Sequence, residues 1–331
     1  MVTWDSSVGE IMNANSNAVK IAVLDDYQGV ALQLADWSPV TARAQVQVFH
    51  DHIADADALV ERLRPYDVVC VMRERTPLRR AVIERLPKLK LIASTAKRNA
   101  SIDTDAAAAR GIKLVHTSYT SAPTVELTWA LILAGARHIV SENASLRAGG
   151  WQRSVGDDLA DRTLGIVGLG SVGSEVAKVG LAFGMKVIAW SENLTRQTAA
   201  AAGTRLVSKA ELFREADVVS IHLVLSARTN ALIGATEFEL MKPSARLINT
   251  SRGPIVVEAA LVEALANGQI AGAAVDVYDV EPLPADHPYR RIDRLLATPH
   301  IGYVSRGLYQ RFYRDTVANI VAWLDTHTPA Q

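Results

Sequence analysis

Short β-branched runs alternate with Ala- and Leu-rich helical stretches along almost the whole of this chain of 331 residues. Two parallel strands need a crossover between them, usually a helix, so this alternation indicates parallel βαβ units. A long helical stretch over residues 124–145 divides the pattern into two series, and another over about 304–324 ends it. Strands are predicted at 20–24, 46–49, 68–72, 91–93 and 113–115 in the first series, and at 163–167, 186–190, 218–222, 246–249, 272–275 and 295–297 in the second.

Two series of this kind predict an α/β chain with two doubly wound parallel-sheet domains and a cleft between them. The length agrees, because 331 residues is about twice the length of one typical domain. Ligands of such sheets bind beyond the carboxyl ends of the strands. Functional residues are therefore expected directly after the predicted strands.

Charge and cysteine content exclude several classes of protein. Lys and Arg number 35 and Asp and Glu also number 35, so the chain lacks the surplus of cations that nucleic-acid or polybasic membrane binding needs. The single cysteine, Cys70, excludes an intramolecular disulfide framework and indicates a reducing cytoplasm. Residues 1–18 are interpreted as a loose extension without the features of a secretory signal, and no membrane span or metal site is expected.

A glycine-rich turn follows the first strand of the second series. Gly168, Gly170 and Gly173 flank Ser171 and Val172 where that strand ends and a helix begins. Glycines allow the backbone to approach a pyrophosphate closely, and the helix N-terminus favours its negative charge. The order of strand, glycines, helix and strand predicts a dinucleotide site, while a merely tight βα turn stays the alternative.

The end of the next strand bears on which dinucleotide is bound. An NAD site expects an acidic residue there for the ribose 2′-hydroxyl. Here Ser191 holds that position and Glu192 follows it. Arg196 could assist a 2′-phosphate, which Glu192 would repel. NAD is favoured as the cofactor, and NADP stays possible.

Three more segments follow strands of the second series, and they contain Arg252, Glu281 and His300. Because each begins at the carboxyl end of its strand, these three side chains can converge on one cleft. Each residue also has a simpler interpretation: a surface arginine, a Glu-Pro turn and a histidine that ends a strand by chance.

The motifs GLGSVG, SRGPIV, DVYDVEPLP and TPHIG occur in this order along the chain. Together they resemble the D-isomer-specific 2-hydroxyacid dehydrogenase family, over essentially the whole chain from Lys20 to the C-terminal helix. The likeness is to glyoxylate or hydroxypyruvate reductases and to phosphoglycerate dehydrogenases without a regulatory domain. It implies a discontinuous flavodoxin-like substrate domain (residues 1–118 plus 305–331) and a Rossmann NAD(P)-binding domain (residues 119–304). It also implies a homodimer assembled around residues 123–152, although the apolar faces there could equally belong to a core between the domains.

The resemblance implies that Arg252, Glu281 and His300 are the catalytic trio. Reduction of a 2-oxo acid needs a proton as well as a hydride, and the ordinary histidine pKa of about 6.5 suits proton transfer near neutrality. His300 would transfer that proton, and Glu281 would orient its ring and stabilise its charged form. Arg252 would clamp the substrate carboxylate with its planar guanidinium.

Further cofactor contacts are implied more weakly. Asp276 corresponds to a family aspartate that contacts the nicotinamide carboxamide, and Gly302 lies in the His300 motif. His222 and Thr250 would line the other side of the cofactor. His222 is interpreted as a residue that packs at a strand end, not as a second catalytic base.

The substrate loop departs from the family pattern. Where the family has a Gly-x-Gly stretch, this chain has Ala96 and Arg98, within the segment Thr95, Ala96, Lys97, Arg98. Lys97 and Arg98, with Arg73 and Arg75, could place positive charge at the cleft mouth, although solvated loop cations are an equal interpretation. We expect a small or additionally anionic 2-oxo acid as substrate, such as glyoxylate, hydroxypyruvate or a phosphorylated analogue.

Two other functions stay open from the sequence. A non-catalytic NAD(H)-sensing scaffold, like the corepressors that resemble this family, would keep the same fold. Formate dehydrogenase activity is disfavoured, because the family's formate enzymes have Gln at the position of Glu281.

Overall fold

A computed structural model describes residues 18–97 and 99–327. Most of the predicted N-terminal extension, residues 1–17, and the predicted substrate residue Arg98 lie outside the described residues. The chain divides into two compact units: the first comprises Met1–Tyr119 with Arg306–Gln331, and the second comprises Thr120–Ser305. Each contains one parallel sheet, which confirms the prediction of an α/β chain with two doubly wound sheets.

The first unit contains a five-stranded parallel sheet in the order β2-β1-β3-β4-β5. Every residue of β3 and β4 is buried, as continuous apolar runs in parallel sheets require. Its strands are β1 (Val19–Val23), β2 (Ala44–Val48), β3 (Val68–Val71), β4 (Leu91–Ser94) and β5 (Lys113–His116). Its helices are α1 (Ser38–Thr41), α2 (Ala56–Leu63), α3 (Arg80–Ile83), α4 (Thr104–Ala109) and α12 (Arg306–His327).

The second unit contains a seven-stranded parallel sheet in the order β12-β11-β10-β9-β6-β7-β8. Its strands are β6 (Thr163–Val167), β7 (Lys186–Trp190), β8 (Arg205–Leu206), β9 (Val218–Ile221), β10 (Arg246–Asn249), β11 (Gly272–Val275) and β12 (Leu295–Ala297). Its α-helices are α5 (Ala122–Ala136), α6 (Ile139–Arg147), α7 (Ser171–Ala182), α8 (Arg196–Ala201), α9 (Lys209–Glu215), α10 (Ala235–Leu240) and α11 (Glu258–Ala266). Two 3₁₀ helices span Gly253–Ile255 and Pro288–Arg291.

The predicted continuous helix over residues 124–145 is wrong. Helix α5 ends at Ala136 and α6 begins at Ile139, because His138 between them has a left-handed backbone with φ of 52°. Gly135 lies one residue before this end, but the left-handed position itself is a histidine, so the glycine does not mark where the helix breaks. Strand β8 was also missed, since a two-residue strand shows no periodicity.

No helix among residues 18–97 and 99–327 has both the length and the apolar character that a membrane crossing requires. The longest one, α12, has charged residues along its length and buries one face, including Phe312, Ile320 and Trp323.

Candidate active site

The carboxyl edge of the second sheet gathers most of the predicted site residues. The glycine turn follows β6, His222 follows β9, Thr250 and Arg252 follow β10, Asp276 follows β11 and His300 follows β12. All seven strands are parallel, so these segments leave the sheet at the same edge.

The glycine turn is built for close approach to a ligand. Gly168 has φ of 100°, and a Cβ atom there would lie 2.7 Å from the carbonyl oxygen of His222. A Cβ atom on Gly173 would lie 2.1 Å from the carbonyl oxygen of Gly168. In contrast, no described atom would lie within 4 Å of a Cβ atom on Gly170. The space beside Gly170 is therefore open at the start of α7.

Helix α7 has an N-terminus suited to an anion. Gly170 is its N-cap residue and supplies no side-chain cap, and no acidic residue lies in the first turn. The N–H groups of Ser171, Val172 and Gly173 therefore lie where a phosphate could accept hydrogen bonds and meet the positive end of the helix dipole.

His300 and Glu281 form a close pair. The Nδ1 atom of His300 lies 2.5 Å from Oε2 of Glu281, whose Oε1 accepts a hydrogen bond of 3.0 Å from the backbone N–H of Tyr278. Because Nδ1 faces the carboxylate, Nε2 is the ring nitrogen that remains for proton exchange with a ligand. His300 itself has a left-handed backbone with φ of 50°.

The charge of Glu281 is stabilised in this pair. Burial alone would raise the pKa of Glu281, but the hydrogen bond from His300, the positive charge of that ring, the Tyr278 N–H and the charge of Arg252 together lower it. Glu281 is therefore a carboxylate throughout the neutral range, able to hold an imidazolium beside it.

Arg252 is half-buried on a tightly packed segment. Its Nη1 group donates to the carbonyl of Ser251 at 2.7 Å, and its own carbonyl accepts from Asn249 Nδ2 at 3.0 Å. A Cβ atom on Gly253 would lie only 2.2 Å from the carbonyl carbon of Tyr278. The segment that follows β10 thus lies directly against the one that carries Glu281.

Asp276 holds the turn that carries His300. Its Oδ1 accepts from Thr298 Oγ1 at 2.6 Å and from the N–H of Ile301 at 2.8 Å, and its Oδ2 accepts from the N–H of Gly302 at 2.7 Å. Burial raises the pKa of Asp276 despite these donors. These three hydrogen bonds hold the backbone before and after His300. The predicted contact of Asp276 with a nicotinamide carboxamide stays a prediction.

Thr250 and His222 are bound within the second unit. Thr250 shares a hydrogen bond of 2.8 Å with Thr128, and the His222 ring contacts Ser220 Oγ at 2.8 Å. Burial lowers the pKa of His222 to about 3, so this ring is neutral near pH 7. A neutral, hydrogen-bonded ring agrees with a packing role for His222.

Comparison with known proteins decides the family. The model of "D-isomer specific 2-hydroxyacid dehydrogenase, NAD binding domain" matches residues 129–302, which is more than half of the chain. The chain belongs to the D-isomer specific 2-hydroxyacid dehydrogenase family. The predicted family is thereby confirmed, and so is the predicted cofactor NAD. This dehydrogenase is an NAD-dependent oxidoreductase of 2-hydroxy or 2-oxo acids.

This dehydrogenase is similar to reductases and dehydrogenases of 2-oxo and 2-hydroxy acids from several organisms. It is 38% identical to a glyoxylate reductase from Aeropyrum pernix, over 75% of this chain and 77% of that one. It is 39% identical to a D-3-phosphoglycerate dehydrogenase from Methanocaldococcus jannaschii, over 74% of this chain but only 47% of the relative. A phosphoglycerate oxidoreductase from Vibrio cholerae has a similar structure, with a TM-score of 0.88 and 36% identity over 93% of this chain and 99% of that one.

The end of β7 offers space for the rest of the dinucleotide. An open surface depression of about 510 Å³ lies there, lined in part by Trp190. The carbonyl of Trp190 accepts a hydrogen bond of 2.8 Å from the N–H of Gly168, which connects the end of β7 to the glycine turn. The lining of the depression includes Trp190, Ser191, Glu192, Leu194, Arg196 and Arg205. The Ser191 hydroxyl and the Glu192 carboxylate can bind ribose hydroxyls, and the open N-terminus of α7 can bind a pyrophosphate. The residues present therefore fit NAD.

The predicted substrate-loop residues lie in the first unit of the dehydrogenase, directly after β4. Ala96 has φ of 65°, the conformation that the missing glycine would adopt without strain, and its N–H donates to Thr117 Oγ1 at 2.9 Å. Thr95 Oγ1 accepts from the N–H of Arg73 at 2.7 Å. Lys97 is exposed, which agrees with a solvated cation as well as with a ligand contact.

Arg73 and Arg75 were predicted as cations near the substrate, but the cluster that Arg75 forms with Asp25, Tyr27 and Tyr309 was not foreseen. Arg75 donates to the carbonyl of Asp25 at 2.7 Å and to Tyr309 Oη at 3.2 Å, and its guanidinium lies 4.5 Å from the centre of the Tyr27 ring. Asp25 after β1 and Arg73 after β3 have left-handed backbones, with φ of 58° and 53°. Ala96 after β4 has one as well, so three strands that are adjacent in the sheet are each followed by a residue with a strained backbone. The position of Asp25 two residues after the end of β1 was the available signal, whereas nothing in the sequence marks the left-handed backbones.

Within the described residues, no group of three or more His, Cys, Asp or Glu side chains is arranged to hold a metal ion.

Proposed function

We propose that this chain interconverts small D-2-hydroxy acids and 2-oxo acids, with His300 as the acid/base, Glu281 orienting it and Arg252 binding the substrate carboxylate. The observation that carries the proposal is the contact of 2.5 Å between His300 Nδ1 and Glu281 Oε2, at the same sheet edge as a glycine turn suited to NAD.

When bound, NADH would supply the hydride to C2 of the 2-oxo acid, and NAD⁺ would accept it from C2 of the 2-hydroxy acid. In the reduction, His300 Nε2 gives its proton to the carbonyl oxygen at C2, so that the 2-oxo acid becomes a 2-hydroxy acid; in the oxidation it takes that proton from the hydroxyl. Glu281 lowers the cost of the charged imidazolium and fixes the ring through Nδ1. Proton transfer thus passes through one ring nitrogen while the other is held.

Arg252 is proposed to bind the substrate carboxylate. A guanidinium can donate two parallel hydrogen bonds to a carboxylate, which places the adjacent C2 atom in a defined position. The Asn249 side chain, which donates to the Arg252 carbonyl and accepts from the Ser251 N–H, supports this segment from below. Binding and orientation of the acid would therefore rest on the segment after β10.

For the cofactor, we assign the pyrophosphate to the N–H groups around the glycine turn and the ribose to the end of β7. Glu192 supports NAD over NADP, because its carboxylate would repel a 2′-phosphate. The proposed cofactor residues are Gly168, Gly170, Ser171, Val172, Gly173, Ser191, Glu192, His222, Thr250, Asp276 and Gly302.

The substrate is proposed to be a small or additionally anionic 2-oxo acid. Thr95, Ala96, Lys97 and Arg98 are also assigned to substrate binding, and the two cations among them support a second anionic group on the substrate. The likeness to a glyoxylate reductase and to phosphoglycerate dehydrogenases supports glyoxylate, hydroxypyruvate or its phosphorylated analogue. The charge proposal fails if Lys97→Ala and Arg98→Ala leave kcat/KM unchanged for every acid that the chain accepts.

We also propose a homodimer that assembles around residues 123–152. Five large apolar side chains on α6 and the segment after it are exposed in the single chain, and burial in an interface would stabilise them. They are Ile139, Val140, Leu146, Trp151 and Val155.

The cytoplasm is the proposed compartment, since the only cysteine, Cys70, is a buried thiol.

The experiment that tests the function is a matrix of NADH and NADPH oxidation against a panel of 2-oxo acids. We expect turnover with NADH and at least one small 2-oxo acid. If purified protein binds NADH but turns over no acid of the panel, catalysis is wrong and the NAD(H)-sensing scaffold replaces it.

A further inference from the structure

Glu281 lies on an exposed stretch of the second unit, residues 279–286, between two buried tyrosines. Tyr278 precedes the stretch and Tyr289 follows it, and every residue of 279–286 except the partly buried Leu283 is exposed, although the Glu281 side chain is only 34% exposed. A carboxylate on such a stretch keeps a distance of 2.5 Å to His300 only if the stretch is anchored at both ends. At its start, Tyr278 donates its hydroxyl to the carbonyl of Thr298 at 2.7 Å.

At its end, the anchor is His287. Its Nε2 lies 2.9 Å from Oε1 of Glu258, and its Nδ1 accepts from the backbone N–H of Tyr289 at 3.2 Å. Since Nδ1 accepts, the proton is on Nε2 and is donated to Glu258. The His287 ring also packs edge-on against Tyr289, with 4.9 Å between ring centres. Both ring nitrogens and one ring edge are thus engaged.

Glu258 connects this anchor to the segment of Arg252. It is the first residue of α11, which is separated by two residues from the end of the 3₁₀ helix Gly253–Ile255. That 3₁₀ helix is the element whose Gly253 lies against the backbone of Tyr278. The Glu258–His287 pair therefore ties the stretch with Glu281 to the stretch with Arg252 at a second point.

The hydrogen bond explains why the pair affects the position of Glu281. Burial and the negative charge of Glu258 raise the pKa of Asp279, so these two carboxylates lie close enough to repel each other. The N–H donor of His287 satisfies the Glu258 carboxylate and ties it to the end of the stretch. Without the ring, Glu258 would lose this donor and still repel Asp279, and the stretch with Glu281 would move away from α11.

We infer that His287, through its hydrogen bond to Glu258, is a positioning residue that holds Glu281 against His300. This inference rests on the proposed function of Glu281. His287 touches neither the proposed proton-transfer atom nor the proposed carboxylate site; it acts through the stretch of residues 279–286.

The test compares His287→Ala with His287→Gln, which keeps a side-chain N–H donor, in steady-state reduction of the best 2-oxo acid by NADH. For His287→Ala we expect kcat to fall about tenfold or more, because small misplacements of catalytic groups are costly. The KM for NADH should not change. The high-pH limb of kcat/KM should move to lower pH, because a displaced Glu281 stabilises the protonated ring less. His287→Gln should recover most of the activity.

Two further comparisons separate positioning from general damage. In a Glu281→Ala background, His287→Ala should change kcat less than about twofold, because residues that act in one chain of contacts are not additive. The matched control is Arg291→Ala, an exposed residue of the 3₁₀ helix Pro288–Arg291 that begins directly after His287, and this variant should behave as wild type. If His287→Ala fails to fold, the same contact is tested at its other residue by comparing Glu258→Ala with Glu258→Gln. Glu258→Gln keeps the acceptor oxygen for His287 and should therefore retain more activity than Glu258→Ala.

Each outcome decides the inference. Wild-type kcat in folded His287→Ala overturns it while leaving the role of Glu281 intact, provided that Glu281→Ala alone is impaired. Multiplied losses in the double variant also overturn it, since His287 would then act independently of Glu281. Wild-type kcat in Glu281→Ala overturns both the inference and the proposed role of Glu281.

Discussion

Glu281 and His300 approach to 2.5 Å although they lie 19 residues apart in the chain. The carboxylate uses one oxygen for the ring and the other for the N–H of Tyr278. This division fixes the carboxylate in its plane and leaves it little freedom to rotate away from the imidazole. Their geometry therefore supports a preorganised acid/base unit, in which the cost of orienting the ring is met by folding.

Substitution of His300 by Gln should remove proton transfer without removing the cofactor site. We expect kcat to fall by about 10²- to 10⁴-fold, the usual contribution of a general acid. The dissociation constant for NADH, measured by fluorescence titration, should be unchanged because the glycine turn follows a different strand. Near-normal turnover would remove His300 from the mechanism.

The substitution Arg252→Lys should reduce kcat/KM strongly, although the charge is kept. A lysine ammonium is a point charge and cannot reproduce the planar fork of a guanidinium on a carboxylate. The loss should appear in the KM for the acid more than in the KM for NADH, as measured by varying each substrate separately. If both constants stay close to those of wild type, the carboxylate is bound elsewhere.

The pH dependence of stability should report the charge of Glu281. Its pKa is lowered on folding, so the carboxylate contributes stability at pH values above the ordinary glutamate pKa of about 4.3, and this is lost as pH falls through the lower folded value. Urea unfolding of wild type and Glu281→Gln should therefore differ at neutral pH and converge in acid. Glu239→Gln, an exposed glutamate on α10, is the matched control. A difference that grows as pH falls would contradict the prediction.

Substitution of Asp276 by Asn should loosen the turn that carries His300. An amide keeps one acceptor oxygen where the carboxylate has two, so a backbone N–H of Ile301 or Gly302 loses its partner. We expect kcat to fall about 10- to 100-fold, as for other displaced catalytic groups. Steady-state kinetics of Asp276→Asn beside the exposed Asp293→Asn measure the effect. Equal activity of the two variants would show that the turn keeps its shape without the carboxylate.

The parallel sheets could be predicted because their signals in the sequence are local. Five strands of the second unit, β6, β7, β10, β11 and β12, have the bounds that their apolar runs predict. The glycine turn is local as well, since strand, turn and helix are contiguous. The segments of Arg252, Glu281 and His300 could be placed at one edge because parallel strands share their direction.

Other features depend on atoms far apart in the chain. The bonds of Asp276 to the His300 turn span 22 to 26 residues, and the His287–Glu258 contact spans 29. Pairings of this kind leave no periodic pattern in the sequence. They form only after the strands are in register, which is why the sequence suggested a different partner for Asp276 and none for His287.

The amino-acid sequence alone determined the alternation of strands and helices, the glycine turn and the residue types that follow each strand. Only the tertiary structure decided the left-handed backbones of His138, Ala96 and His300, where no glycine occurs. Such conformations cost about 1–2 kcal/mol locally for a non-glycine residue, so local preference opposes them. They persist because hydrogen bonds and packing from distant segments, such as the three bonds of Asp276 around His300, outweigh that cost.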